Sequence, residues 1–335
     1  MKPHAWTLAM ALAFAGCSAE VDSRGTSDID LTPPALLGAT ATSPGGAEIR
    51  FSEPVTLVEG SFTSDPPLEL SGARPQGDCI VLDLSPQIPG SRYLLELTVA
   101  DASGNTAHVL FALYGFNPEV PAVLINELTV RGSAAHPDIV ELRVESAGNM
   151  GGLVLCNGTA NNWTSRVVFP AFRVEPGEFV LAHFKPEGLP AEINETTDKT
   201  LSGGLDASAT AYDFWVPEAT GLNGNNGVVS LHERIGGAVL DAILYSNRTS
   251  SSDTDYGGFG TAETMERAEE IVGVGGWVVD GTVRPEDAVN PEDSTSTRSL
   301  CRRRGVDTNT RTDWYIVPTR GASFGSENLE EEYRP

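Results

Sequence analysis

Apolar and polar residues alternate with a period of two along most of this 335-residue chain. Successive side chains of an extended strand point to opposite faces, so this period marks strands with one buried face. Ala47–Phe51, Cys79–Leu84 and Ala107–Tyr114 follow it, and Tyr93–Val99 carries enough leucine to be partly buried on both faces. Pro44-Gly45-Gly46, Asp65-Pro66-Pro67, Pro89-Gly90 and Ser103-Gly104-Asn105 fall between these runs as turns. A second series comprises Ala122–Leu128, Ile139–Val144, Gly152–Cys156, Glu178–Ala182, Gly227–His232 and Ala238–Tyr245. One stretch, Ala262–Val272, suits a short helix, and Gly273–Gly276 ends it. The pattern predicts an all-β chain of two tandem β-sandwiches, at about 32–116 and 119–328. Asn117-Pro118-Glu119-Val120-Pro121 is the linker and 329–335 an acidic tail.

The N-terminal residues fit neither sandwich. Lys2 precedes an apolar run, Ala5–Ala15, too short for a bilayer span of about 20 residues. Phe14-Ala15-Gly16-Cys17 resembles the bacterial lipobox, with Phe14 where leucine is usual. The resemblance implies a lipoprotein signal at 1–16, lipid attachment at Cys17 and, over residues 17–31, a polar tether without periodicity. The expected location is the bacterial cell envelope, outer membrane or cell surface favoured, with the membrane engaged through the lipid.

Charge narrows the partners. Forty-six acids against 22 bases give a net charge of −24, which repels nucleic-acid phosphates, so no nucleic-acid partner is expected. Cys79, Cys156 and Cys301 remain after Cys17, so at most one disulfide can form within the chain. Cys156 and Cys301 share one sandwich and are the candidate pair; three buried free thiols are the alternative.

Two resemblances refine the fold. Ile49-Arg50-Phe51-Ser52-Glu53-Pro54-Val55 and Asp101-Ala102-Ser103-Gly104-Asn105 resemble the F-S-E-P-V strand and D-x-x-G-N hairpin of bacterial Ig-like domains of the surface-layer type. The second segment resembles the lamin-tail domain, itself an Ig-like sandwich. The matching pieces, in order, are Leu124-Ile125-Asn126-Glu127-Leu128, Asp138-Ile139-Val140-Glu141-Leu142, Pro176-Gly177-Glu178-Phe179-Val180 and Leu222-Asn223-Gly224 with Val228–Leu231 and Gly237–Asp241. Ser296–Arg302, Asp313-Trp314 and Pro318–Gly321 complete the set, with Thr319-Arg320-Gly321 departing from the usual Pro-Gly. The first resemblance implies a spacer or binding module without a catalytic site, and none of the motif residues of the second needs to be a reaction group.

Candidate chemistry is sparse. Two connections exceed a minimal sandwich, at 185–213 and 246–291, and long loops in compact domains are often functional. Tyr212, Phe214, Trp215, Tyr256, Phe259 and Trp277 lie in or beside them and form a candidate binding surface. Asp253 and Asp255 begin like a calcium loop, making Ca2+ the one candidate cofactor, but Thr264 stands where the bidentate glutamate belongs. Asp101 with Asn105 is a second candidate cation pair, read first as a turn. Gly321-Ala322-Ser323-Phe324-Gly325 matches G-x-S-x-G, yet no histidine follows His232 to serve the serine. HExxH, a P-loop and a dinucleotide fingerprint are absent from the sequence. The expectation is a non-catalytic envelope lipoprotein acting as a binding, adhesion or structural module for a protein or glycan partner. The rivals are an accessory module of a membrane-tethered hydrolase system and a metal-dependent hydrolase using the 246–291 loop.

Overall fold

The computed structural model describes residues 30–335; the expected signal, Cys17 and most of the expected tether lie outside them. The chain is nearly all β, as its alternation predicts. The first unit comprises β1 (Leu36–Ser43), β2 (Gly46–Phe51), β3 (Thr56–Leu57), β4 (Thr63–Asp65), β5 (Leu70–Gln76), β6 (Cys79–Leu84), β7 (Arg92–Ala100) and β8 (Thr106–Tyr114). One sheet runs β1-β2-β6-β5; the other centres on β7, with β8 along one edge and β3 and β4 along the other. Ile49, Phe51, Ile80, Leu82, Leu95, Leu97 and Val99 fill the space between them. Each alternates with more exposed neighbours on its strand, so burial follows the sequence period.

The second unit holds β9 (Val123–Leu128), β10 (Ile139–Val144), β11 (Gly148–Asn149), β12 (Val154–Gly158), β13 (Trp163–Val168), β14 (Arg173–Val174), β15 (Phe179–His183), β16 (Tyr212–Trp215), β17 (Asn226–His232), β18 (Val239–Ser246), β19 (Leu300–Arg302) and β20 (Trp314–Ile316). Its six-stranded sheet runs β16-β15-β10-β9-β19-β20 and its four-stranded sheet β13-β12-β17-β18. Pairing is antiparallel except for β15 with β16.

The 246–291 connection is a built layer. It carries α1 (Ala262–Gly273), capped by the Thr261 side chain on the Thr264 amide at 3.1 Å. Ala268 and Ile271 of this helix join one core with Phe259, Trp277 and strands β17 and β18. Those strands are covered on both faces, which accounts for the unbroken burial of β17 and of β18 from Asp241 onward.

The two cores share no residue. The units meet where the Pro89-Gly90 turn packs on Gly151-Gly152: a Cβ at Gly90 (φ +68°) would stand 2.0 Å from the Gly152 nitrogen. Asn117 ties the linker down by donating from Nδ2 to the carbonyls of Asn149 (2.6 Å) and Gly151 (2.9 Å).

Candidate functional site

The densest set of buried polar groups lies on the outer face of the six-stranded sheet. The strand register lines up Asp213, Leu181, Glu141, Glu127, Cys301 and Tyr315 as one transverse row crossing all six strands. A β-bulge sits beside Glu127: Glu141 pairs with Glu127 and Leu142 with Ile125, leaving Asn126 as the extra residue. The bulge lets consecutive Asn126 and Glu127 serve the same face, and Asn126 Nδ2 donates to Glu141 at 2.6 Å.

Residues 321–328 cross this face as a strap. Glu127 accepts from Ser299 Oγ, from the Ser323 amide (2.9 Å) and from Ser323 Oγ (2.7 Å). Glu141 accepts from the Gly325 amide at 2.6 Å. Asn328 closes the strap, donating to the Arg302 carbonyl (2.9 Å) and accepting from Asn126 (2.8 Å). Burial pushes Glu127 above the usual carboxylate range, and the serine donors oppose it. Burial raises Glu141 further, with the Glu127 charge adding to the effect. Both side chains are fully buried.

Behind the row, at one end of the core, Arg302 donates Nη2 to both Asp241 oxygens at 2.6 and 2.7 Å and Nε to the Ile125 carbonyl at 2.8 Å. Its guanidinium stands 4.8 Å from the Trp314 ring centroid. Burial pushes Asp241 up to about 6 even beside this arginine. Asp313 is buried and accepts from Thr308 (2.8 Å) and Thr310 (3.2 Å) amides, closing the turn before Trp314. These contacts give structural roles to the arginine and the Asp-Trp pair in the chain's closing motifs.

At the other edge His183 Nε2 donates to the Asp213 carboxylate at 2.7 Å, and its ring stacks on Trp215 at 3.9 Å. Glu195 is buried and accepts from the amides of Leu201, Ser202 and Asp213 at 2.8–2.9 Å, folding the 185–211 connection onto the strand. A cleft of about 660 Å³ opens beside the strap, lined among others by Thr129, His136, Asp206, Thr297, Arg320 and Phe324. His136 meets Asp206 there at 3.0 Å.

The candidate binding aromatics are redistributed. Phe214, Phe259 and Trp277 are core residues, and Tyr212 and Trp215 are also buried. Tyr212–Trp215 is the parallel strand β16, covered on both faces, so these rings pack the sandwich and do not form a platform. Of the set, Tyr256 alone is exposed. The disulfide expectation is likewise corrected: Cys156 and Cys301 are free and buried. Cys156 faces α1, near Arg267 and Glu270, whereas Cys301 lies on the strap side of the opposite sheet. Packed sheets stand about 10 Å apart, so thiols on their outer faces are beyond bridging distance.

The Asp253 carboxylate accepts the Asp255 amide at 2.9 Å as a local turn, and these two acids converge with no third ligand among the described residues. Asp101 instead stands with Asp30 and Glu53, their ligand atoms within 4.8 Å of one another. Its carboxylate takes the Asn105 side chain at 2.8 Å and amide at 2.9 Å, as the turn reading expects, and the Asn105 side chain holds it below the usual range. Sequence reasoning passed over Glu141, Ser299, Asn328 and Arg320 as site residues; the Glu127–Glu141 pairing joins two motifs it did single out.

Comparison with known proteins places the second unit. A protein of Treponema pallidum (strain Nichols), known only as an uncharacterized protein, is 27% identical over 158 residues, 47% of this chain and 40% of that protein. The chain therefore covers well under two thirds of that relative's length. Among solved structures, the S-layer protein rSbsC(31-844) is 12% identical with a TM-score of 0.21, covering 64% of this chain and 41% of that one. Dimeric latent PorU from Porphyromonas gingivalis is 12% identical with a TM-score of 0.18, covering 67% and 21%. Residues 121–316, which hold the carboxyl row, Arg302 and α1, match the family TP_1001_2nd, described as a protein second domain, and the chain belongs to that family.

Proposed function

We propose that this chain is a non-catalytic, lipid-anchored module of a bacterial cell envelope that binds a protein or glycan partner. In this reading its first unit is a surface-layer-type Ig-like spacer (32–116) and its second a lamin-tail-like sandwich (119–328). The observation that carries the proposal is how the reactive-looking groups are used. Ser323, the serine of the G-x-S-x-G match, gives its hydroxyl and its amide to Glu127, and Glu141 holds the Gly325 amide. Nucleophilic catalysis needs a base that is oriented and free to take a proton. Here the carboxyl beside the serine is buried, saturated with donors and occupied in fastening a strap.

What remains open to a partner is the cleft beside the strap, where His136, Asp206, Thr297 and Arg320 offer hydrogen bonds next to the Phe324 ring. Polar groups beside an aromatic face suit a sugar or a polar peptide. The test uses the full chain. Ester, peptide and phosphate hydrolysis is measured with and without calcium, magnesium or zinc, beside envelope-component capture by wild type and His136→Ala/Arg320→Ala. The expected result is background turnover and capture that the double substitution removes. Turnover lost in Ser323→Ala, or in Asp253→Ala/Asp255→Ala, overturns the proposal.

A further inference from the structure

The chain carries 46 acids to 22 bases, yet one sheet edge is basic. Strand β20 ends the six-stranded sheet, so its outer edge has no strand neighbour. Arg248, Arg303 and Arg311, against the single acid Asp293 outside the C-terminal segment, line a cavity of about 280 Å³ at that edge with Trp314 and Tyr315. Among the described residues neither Arg248 nor Arg311 pairs with a carboxylate.

Residues 329–333 run along this edge, and Glu332 and Tyr333 form part of the cavity wall. The Tyr333 amide donates to the Ile316 carbonyl at 2.7 Å, the kind of bond an added strand makes. The Tyr315 hydroxyl donates to the Leu329 carbonyl at 2.7 Å, Glu332 pairs with Arg303, and the Arg298 guanidinium stands 4.2 Å from the Tyr333 ring centroid. The segment thus combines a main-chain bond, an acid on an arginine and an aromatic under an arginine. Glu330, Glu331 and Arg334 are exposed, so few contacts hold it.

We propose that the β20 edge is a docking groove for an extended acidic peptide segment of a partner protein that carries an aromatic side chain, and that residues 329–335 occupy it in cis. Charge complementarity selects that class. The chain's own segment neutralises Arg303 and leaves Arg248 and Arg311 for further acids. An open strand edge supplies the main-chain register, and edges of this kind pair readily when uncovered. The inference rests on the reading of the chain as a binding module but uses a surface other than the His136–Arg320 cleft.

The probe is a fluorescein-labelled peptide of residues 326–335, followed by fluorescence anisotropy at low and high salt. The hosts are the full chain, a chain lacking 329–335, and a full chain with Glu332→Ala and Tyr333→Ala. Either vacated host is expected to bind roughly tenfold more tightly than the full chain, and salt to weaken the complex. Arg303→Glu in a vacated host is expected to remove binding, and His136→Ala to leave it unchanged. Failure of both vacated hosts to bind while they melt cooperatively overturns the proposal, as does binding indifferent to Arg303→Glu. Sedimentation supplies the other arm: a full-chain dimer lost with residues 329–335 makes a second copy the occupant and overturns the partner assignment. Hydrolytic turnover would instead overturn the functional proposal while leaving the peptide result intact.

Discussion

Glu127 and Glu141 stand directly opposite each other on adjacent antiparallel strands, both fully buried, and each holds a backbone amide of the same C-terminal strap. Two carboxyls so placed cannot both ionise cheaply, and burial raises both above their ordinary value of 4.5. The folded state therefore binds more protons than the unfolded one in the interval between the two values. Stability from this pair is complete below the unfolded value and is lost as pH rises through the folded one. Glu141→Gln should flatten the decline in melting temperature as pH rises above the ordinary carboxylate range, at a cost of about 1 kcal/mol for the imperfect amide partner. Thermal melts of both proteins across that rise in pH check it; parallel curves would contradict it.

Arg302 and Asp241 form a buried ion pair at an end of the sandwich. Arg302→Ala should cost about 3–5 kcal/mol, because it strands the Asp241 carboxylate in the interior. Asp241→Asn with Arg302→Met should cost less than Arg302→Ala alone. Urea titration of the three variants decides between the outcomes.

Trp277 and Tyr256 test the division between core and surface. Trp277 is buried and its Nε1 donates to the Asp287 carbonyl at 3.1 Å, whereas Tyr256 is 37% exposed. Trp277→Ala should destabilise the second unit by about 3–5 kcal/mol, and Tyr256→Ala by about 0.5 kcal/mol or less. Similar losses at both positions, measured by chemical denaturation, would refute the assignment.

The thiols give a direct chemical check. Burial pushes Cys156 up to about 12 and Cys79 up to about 11, and raises Cys301 well above the usual thiol range. At about pH 8 all three should resist a thiol reagent in the native protein and react together once it is denatured. The unreduced denatured chain should yield three thiols besides Cys17. A count of one would restore the Cys156–Cys301 bridge.

Strands with a clean alternation, such as β2 and β6, could be read from their residues because one face is wetter and the other dry. The short helix was equally visible between Thr261 and Gly273. Tyr212–Trp215 was not, because a strand covered on both faces has no alternation to show, and its polar flanks resemble loop. Asn126 and Glu127 were legible as part of the Leu124–Leu128 motif. Their partner Ser323 was not legible, since 196 residues separate it from Glu127 and nothing local marks the pairing. The acidic tail was read from composition alone, which says nothing about the arginines it meets.

The pairing of Leu128 with Leu300 has a consequence for how the second unit is made. Strand β9 occupies the middle of its sheet, yet one of its two neighbours comes from near the end of the chain; Ser299 and Glu127 are 172 residues apart. As the polypeptide emerges, β9 and β10 can form a hairpin, but the far edge of β9 stays bare until β19 arrives. Closing so long a loop is entropically costly and slow. Until then an unpaired apolar strand is open to any neighbouring chain. A growing chain therefore spends most of its synthesis unable to finish this sheet. Interrupting synthesis anywhere before residue 300 should release a product that proteases degrade and that associates with itself.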